Sequence, residues 1–205
     1  MRKIFLGLIA LILFVSQTAQ AATPSPQWVK NLPAAKNAEQ MVIVASSQGT
    51  TAWISMHEKN SSGDWEQIMT TPGFIGKNGL GKVRENDEKT PVGTFHFNYA
   101  FGIAPDPGCA IPYVQINANH YWSGDSKYKY NQFVDVRKAP ANFNKDRSEH
   151  LIDYAPNYNY VLSFDYNSEC TPGKGFGLFM QCLPSAKQWT GGGVAIPEDK
   201  MRFVM

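Results

Sequence analysis

Three cysteines and four histidines are the residues best able to do chemistry in this 205-residue chain. They are Cys109, Cys170 and Cys182, and His57, His96, His120 and His150. An odd number of thiols permits at most one intramolecular disulfide and leaves one thiol over, with the pairing open. No C-x-x-C spacing occurs and the histidines lie far apart, so neither a metal site nor another cofactor is expected. Cys182 ends the strand-like run Phe179-Met180-Gln181-Cys182, in which neighbours face opposite ways. If Gln181 points into a groove, Cys182 points away from it, as a core or disulfide cysteine. Its other reading is a nucleophile. Cys109, in a loop, shares that alternative and is equally a disulfide partner for Cys170. His150 reads as a substrate-binding or structural histidine, the other three as surface or packing residues. Tyr121, Trp122 and Asp125 could line a groove for a sugar or peptide, or form a packed aromatic loop.

The elements that must position these groups read mainly as strands. Met41–Ala45 is a short apolar run, and Thr51–Met56 is rich in strand formers. Ser61-Ser62-Gly63-Asp64 is a turn cluster before a return strand at Trp65–Ile68, which makes a hairpin. Phe74–Glu88 reads as a long polar loop and Thr90–Phe97 as another strand. The segment from Ile103 to Pro112 is loop again, on its prolines and glycines. Tyr121–Phe133 is aromatic and polar without a clear period. Tyr160–Tyr166 and Gly177–Cys182 are two further strands. Pro197–Met205 reads as one short helix, with Pro197 in its first turn and Glu198 and Asp199 where the helix dipole favours negative charge. The expected fold is mostly β, with short helices.

The beginning of the chain reads as a targeting segment. Arg2 and Lys3 precede an apolar run, Ile4–Val15, of about a dozen residues, too short to span a bilayer comfortably. Ala19-Gln20-Ala21 is a small-x-small cleavage site, so residues 1–21 are expected to be a secretory signal peptide. Residues 22–39 hold three prolines and little periodicity and read as a linker, leaving a single domain over 40–205. There are 19 Lys and Arg residues against 17 Asp and Glu. Removing Arg2 and Lys3 balances them, which argues against nucleic acid and against an anionic membrane face as partners.

Five stretches in order resemble the YkuD-type L,D-transpeptidase family. They are Gly81-Lys82-Val83-Arg84-Glu85 with Thr90-Pro91-Val92-Gly93-Thr94-Phe95; Ala100–Gly108 with Tyr121, Trp122 and Asp125; Glu149-His150-Leu151 with Tyr154 and Tyr158; Pro172-Gly173-Lys174-Gly175 before Phe179-Met180-Gln181-Cys182; and Thr190–Pro197. The resemblance runs from about Gln40 to the C-terminus. It implies a β-sandwich or similarly β-rich L,D-transpeptidase-like domain in the periplasm or cell envelope, acting on peptidoglycan stem peptides. The family's reaction is acyl transfer, in which a cysteine thiolate attacks a meso-diaminopimelate–D-amino-acid bond. It needs a thiolate, an imidazole that activates it, and backbone donors for the oxyanion.

In this chain the position matching the catalytic histidine is Gln181, and the one matching the cysteine is Gly193. Glutamine cannot take a proton near neutral pH, and glycine has no side chain. Losing the nucleophile of a comparable site costs on the order of 10⁶-fold in rate. The amides of Gly192 and Gly193 remain. The candidate substrate-binding residues are Thr190, Gly192, His150, Tyr121 and Trp122. The expectation is a cell-wall-associated pseudoenzyme that binds a stem peptide without turning it over. Two alternatives stand beside it. One is an active transpeptidase or carboxypeptidase with Cys182 or Cys109 as nucleophile, and the other is a protein-interaction regulator of a paralogous enzyme.

Overall fold

The computed structural model describes residues 21–46, 48–183 and 186–205. The signal peptide expected at 1–21 lies outside the described residues except for Ala21. The strands are β1 (Thr23–Pro24), β2 (Gln40–Ala45), β3 (Thr51–Lys59), β4 (Trp65–Phe74), β5 (Phe97–Gly102) and β6 (Tyr113–Gln115), then β7 (His120–Trp122), β8 (Phe133–Asp135), β9 (Glu149–His150), β10 (Val161–Phe164), β11 (Phe179–Cys182) and β12 (Val194–Ile196). The α-helices are α1 (Gln27–Lys30) and α2 (Glu198–Val204). The chain is mostly β, as its residue pattern predicts.

Nine strands form one sheet in the order β2-β3-β4-β12-β11-β10-β5-β6, with β1 added alongside β4. The β3–β4 hairpin closes where the turn cluster predicts. There the Asn60 side-chain oxygen accepts from the amides of Ser62 and Asp64 at 2.9 and 3.0 Å. Strands β11 and β12 are parallel neighbours near the middle of the sheet, Met180 opposite Val194 and Gln181 opposite Ala195. A parallel pair needs a crossover, and the one joining these two carries the glycine run to the strand ends.

Strand alternation sends two apolar sets to opposite faces. Leu162, Met180, Cys182, Val194 and Ile196 pack with Ile54, Ile75, Met201 and Met205 on the α2 side. Phe101, Val161 and Phe179 pack on the other face with Trp122, Leu151 and Tyr158. The second set is covered by a three-stranded sheet, β8-β7-β9. Gln181 pairs with Val161 in the register of β10 and β11 and so belongs to this second face.

Two expectations are corrected. Residues 22–39 are not a linker: β1 pairs with β4, α1 is followed by a 3-10 turn at Pro33–Lys36, and Val29 and Ala35 are buried with Met41. Proline here starts helical turns, Pro26 before α1 and Pro33 at the head of the 3-10 turn. Thr90–Phe97 is not a strand, and β5 begins only at Phe97. Pro91 has no N–H for a ladder, and the Thr90 hydroxyl is engaged by Gly76 and Gly193. Of the disulfide pairings left open, none is made, and all three cysteines are free thiols.

Candidate functional site

A cavity of about 580 Å³ opens on the small-sheet side of the structure. One wall is built from β11 and the turn leading into β12, and Gln181, Trp189, Thr190, Gly191 and Gly193 line it. The turn is fixed by two buried threonines. Thr190 Oγ1 accepts from the Gly192 amide at 3.1 Å and donates to the Gly193 carbonyl at 2.6 Å. Thr90 Oγ1 accepts from the Gly76 amide at 2.8 Å and donates to the same Gly193 carbonyl at 3.1 Å. Each hydroxyl therefore uses both its donor and its acceptor, which is how a buried polar group avoids a desolvation penalty.

Gly193, just before β12, packs closely against the Phe179 backbone of β11. A Cβ added there would overlap the Phe179 carbonyl oxygen. At Gly191 a Cβ would meet nothing within 4 Å. The position matching the family's nucleophile is thus closed to a side chain without backbone movement, while its neighbour two residues earlier is open.

A second wall comes from β9 and the turn after it, through Glu149, Tyr154 and Tyr158. Tyr158 donates its hydroxyl proton to Glu149 Oε2 at 2.9 Å. Tyr154 and Tyr158 are stacked, with ring centres 4.6 Å apart at 14°. Burial pushes the Glu149 carboxyl up to about 7, against the smaller opposing effect of the Tyr158 hydroxyl. Among the described residues no basic side chain forms an ion pair with it. Burial, with Glu149 next, drives the Tyr158 phenol well above its ordinary range, and burial does the same to Tyr154. Both remain neutral hydroxyls at physiological pH.

The rim comes from the 81–89 segment, which the sequence presents only as polar. Burial alone would raise the Asp87 carboxyl; the Lys82 ammonium at 2.8 Å and the amides of Val83, Arg84 and Lys89 outweigh that and hold it well below the usual range. Lys82 and Asp87 side chains are only 3% and 7% exposed, so this is a buried ion pair serving as the hub of the loop. Glu85 bonds the Tyr130 hydroxyl and pairs with Arg147 at 3.5 Å. Lys187 sits over the Trp189 ring at 4.8 Å.

Of the residues singled out in the sequence, the structure brings Gln181, Thr190 and Gly193 together on the cavity. Gly192 stands behind them, its amide committed to Thr190. Tyr121, Trp122 and His150 do not line the cavity. His150 is stacked on Tyr121 at 4.5 Å, with Nδ1 to Asp153 at 2.8 Å and Nε2 to the Ala118 carbonyl at 3.0 Å. Trp122 is core, edge-on to Phe179 and donating its indole N–H to Asn131. Asp125 caps local amides of Lys127 and Asn144. Cys182 is 2% exposed in the opposite core, and burial pushes its thiol up to about 12. Cys109 packs against that same core. Neither thiol lines the cavity, so the relocated-nucleophile alternative has no geometric support. Among the described residues no group of three or more His, Cys, Asp or Glu is placed to hold a metal ion.

Glu149 is the cavity carboxylate that sequence reasoning did not single out. It adjoins His150 on the two-residue strand β9, and alternation puts one side chain on Tyr121 and the other in the cavity. The signal lay in the Glu-His pair, but a strand this short does not reveal its phase. No family model, no curated protein and no solved structure matches the chain.

Proposed function

We propose that this chain is an exported, L,D-transpeptidase-like protein of the cell envelope that holds peptidoglycan stem peptides in the 580 Å³ cavity without cleaving or cross-linking them. The observation that carries the reading is the convergence of Gln181, Thr190 and Gly193 on one cavity wall. All three lie on β11 and the turn into β12, and Gln181 and Gly193 are the two positions that the resemblance matches to the catalytic pair. The wall offers a ligand the Gln181 amide, the open backbone at Gly191 and the Trp189 ring, on a turn held in shape by the Thr90 and Thr190 hydroxyls. It offers no group able to become a strong nucleophile. A bound peptide would meet hydrogen-bonding edges and aromatic faces, which suits recognition, while the thiol chemistry of the family's reaction has nowhere to start.

The test is co-sedimentation of the mature chain with intact sacculi, followed by mass spectrometry of tetrapeptide muropeptides incubated with it. Retention with unchanged tetrapeptides is expected. Failure to sediment above a buffer-matched control overturns the binding half, and loss of the terminal D-alanine overturns the non-catalytic half.

A further inference from the structure

We propose that Glu149 and the stacked Tyr154–Tyr158 pair form a subsite for an alkyl ammonium group of the ligand. This rests on the cavity being a ligand site, and it deepens that reading by naming the chemical group recognised there.

Glu149 faces the cavity with its two oxygens in different situations. Oε2 accepts from Tyr158. Oε1 lies on the Gly177 side, where a Cβ at position 177 would stand 3.0 Å from it. Because residue 177 is glycine, no side chain covers that oxygen from there. Glu149 lines the cavity, and among the described residues Oε1 has no hydrogen-bond partner.

A carboxylate drawn into an apolar wall is costly unless it is paired. The other charged groups around the cavity have their own contacts: Lys82 with Asp87, Glu85 with Arg147, Glu88 with Lys77, and Lys187 over Trp189. Of the carboxylates lining the cavity, Glu149 is the one with no cationic partner among the described residues. Burial shifts its carboxyl toward the neutral form, and a cation arriving at Oε1 would restore the carboxylate.

The neighbouring surfaces select the kind of cation. Tyr154 is 37% exposed and presents a phenol ring next to the carboxyl, and aromatic faces attract ammonium groups. Phe176, Leu178 and Trp189 line the same cavity and suit an alkyl stem. A guanidinium prefers to engage both oxygens of a carboxylate at once. With Oε2 already bonded to Tyr158, one oxygen is left, which fits the point charge of an ammonium.

The test measures binding of three probes to the mature chain by titration calorimetry. They are a stem tetrapeptide with the side-chain amine of its diamino acid free, the same peptide with that amine acetylated, and n-butylammonium. Carbon-13 NMR of the Glu149 carboxyl runs in parallel. The free-amine peptide is expected to bind about 10- to 100-fold more tightly than the acetylated one. Glu149→Gln should remove that discrimination while keeping a cooperative melt, and Tyr154→Leu should reduce it. Equal binding of both peptides to the wild type would overturn the subsite and leave stem-peptide binding standing. Butylammonium shifting the Glu149 resonance with no binding of either peptide would support the subsite and overturn the stem-peptide reading. No response to any probe would overturn both.

Discussion

Two walls of one cavity divide the chemistry of this molecule unequally. The wall of β11 and the turn into β12 holds the positions that the resemblance matches to a reaction site, and those positions carry nothing titratable: an amide at Gln181 and bare backbone at Gly193, beside the Thr190 hydroxyl. The wall of β9 and its following turn holds Glu149, pushed up to about 7, and two tyrosines stacked beside it. The first wall is a rigid edge and the second is responsive to charge and to protons. The two walls therefore differ in what they can recognise, uncharged groups on one and charge on the other.

The largest effect expected from breaking this division is catalytic. The paired substitution Gln181→His with Gly193→Cys supplies both missing groups, yet a Cβ at 193 would overlap the Phe179 carbonyl and push β11 and β12 apart. Muropeptide mass spectrometry should show no turnover, leaving a deficit on the order of 10⁶-fold, and the melt should fall below wild type. A gain of turnover would show that this wall retains room for the family's chemistry.

Phe179 underlies both walls, being fully buried and edge-on to Trp122, Phe101 and Tyr158. Phe179→Ala should cost about 3–5 kcal/mol in denaturant melts. A loss below about 1 kcal/mol would mean that the walls do not share this support.

The responsive wall predicts a pH dependence of stability. The Glu149 carboxyl rises from an ordinary 4.5 to about 7 on folding, so between those values the folded chain holds a proton that the unfolded chain has released. Stability contributed by this group is then full below about 4.5 and declines as pH rises to about 7, a loss on the order of 3 kcal/mol at most. Glu149→Gln should remove that slope. An identical slope in the variant would place the effect elsewhere.

The smallest change is expected from Thr190→Val, which deletes one of two hydroxyls on the Gly193 carbonyl and the acceptor for the Gly192 amide. A cost of about 1–3 kcal/mol is expected, with ligand affinity falling more than in Thr90→Val because Thr190 also lines the cavity. Equal affinity losses in the two variants would show that the hydroxyls act only on the turn.

The sequence carries the rigid wall more legibly than the responsive one, and the reason is physical. Strands β2, β3, β10 and β11 reveal themselves through apolar runs and alternation, and α2 through Pro197 followed by Glu198 and Asp199. The Gln181–Cys182 alternation correctly separates a cavity residue from a core thiol. Thr190 and Gly193 sit in an ordered motif whose spacing survives folding. The packing of residues 22–39 was hidden because Val29 and Ala35 are spaced among prolines without a period. The Asp87 hub was hidden because its partners are mostly backbone amides, which every residue has. Tyr121, Trp122 and His150 looked like ligand contacts because aromatic residues and histidine serve binding and packing equally; only the small sheet that stacks them together decides between the two.

The central claim, a peptide-binding cavity that does not turn over, is tested most directly by exposing the mature chain to tetrapeptide-containing sacculi and analysing both the pellet and the muropeptides. The account predicts protein retained with the sacculi and every tetrapeptide intact. Protein left in the supernatant, or tetrapeptides shortened or joined by new L,D cross-links, would contradict it.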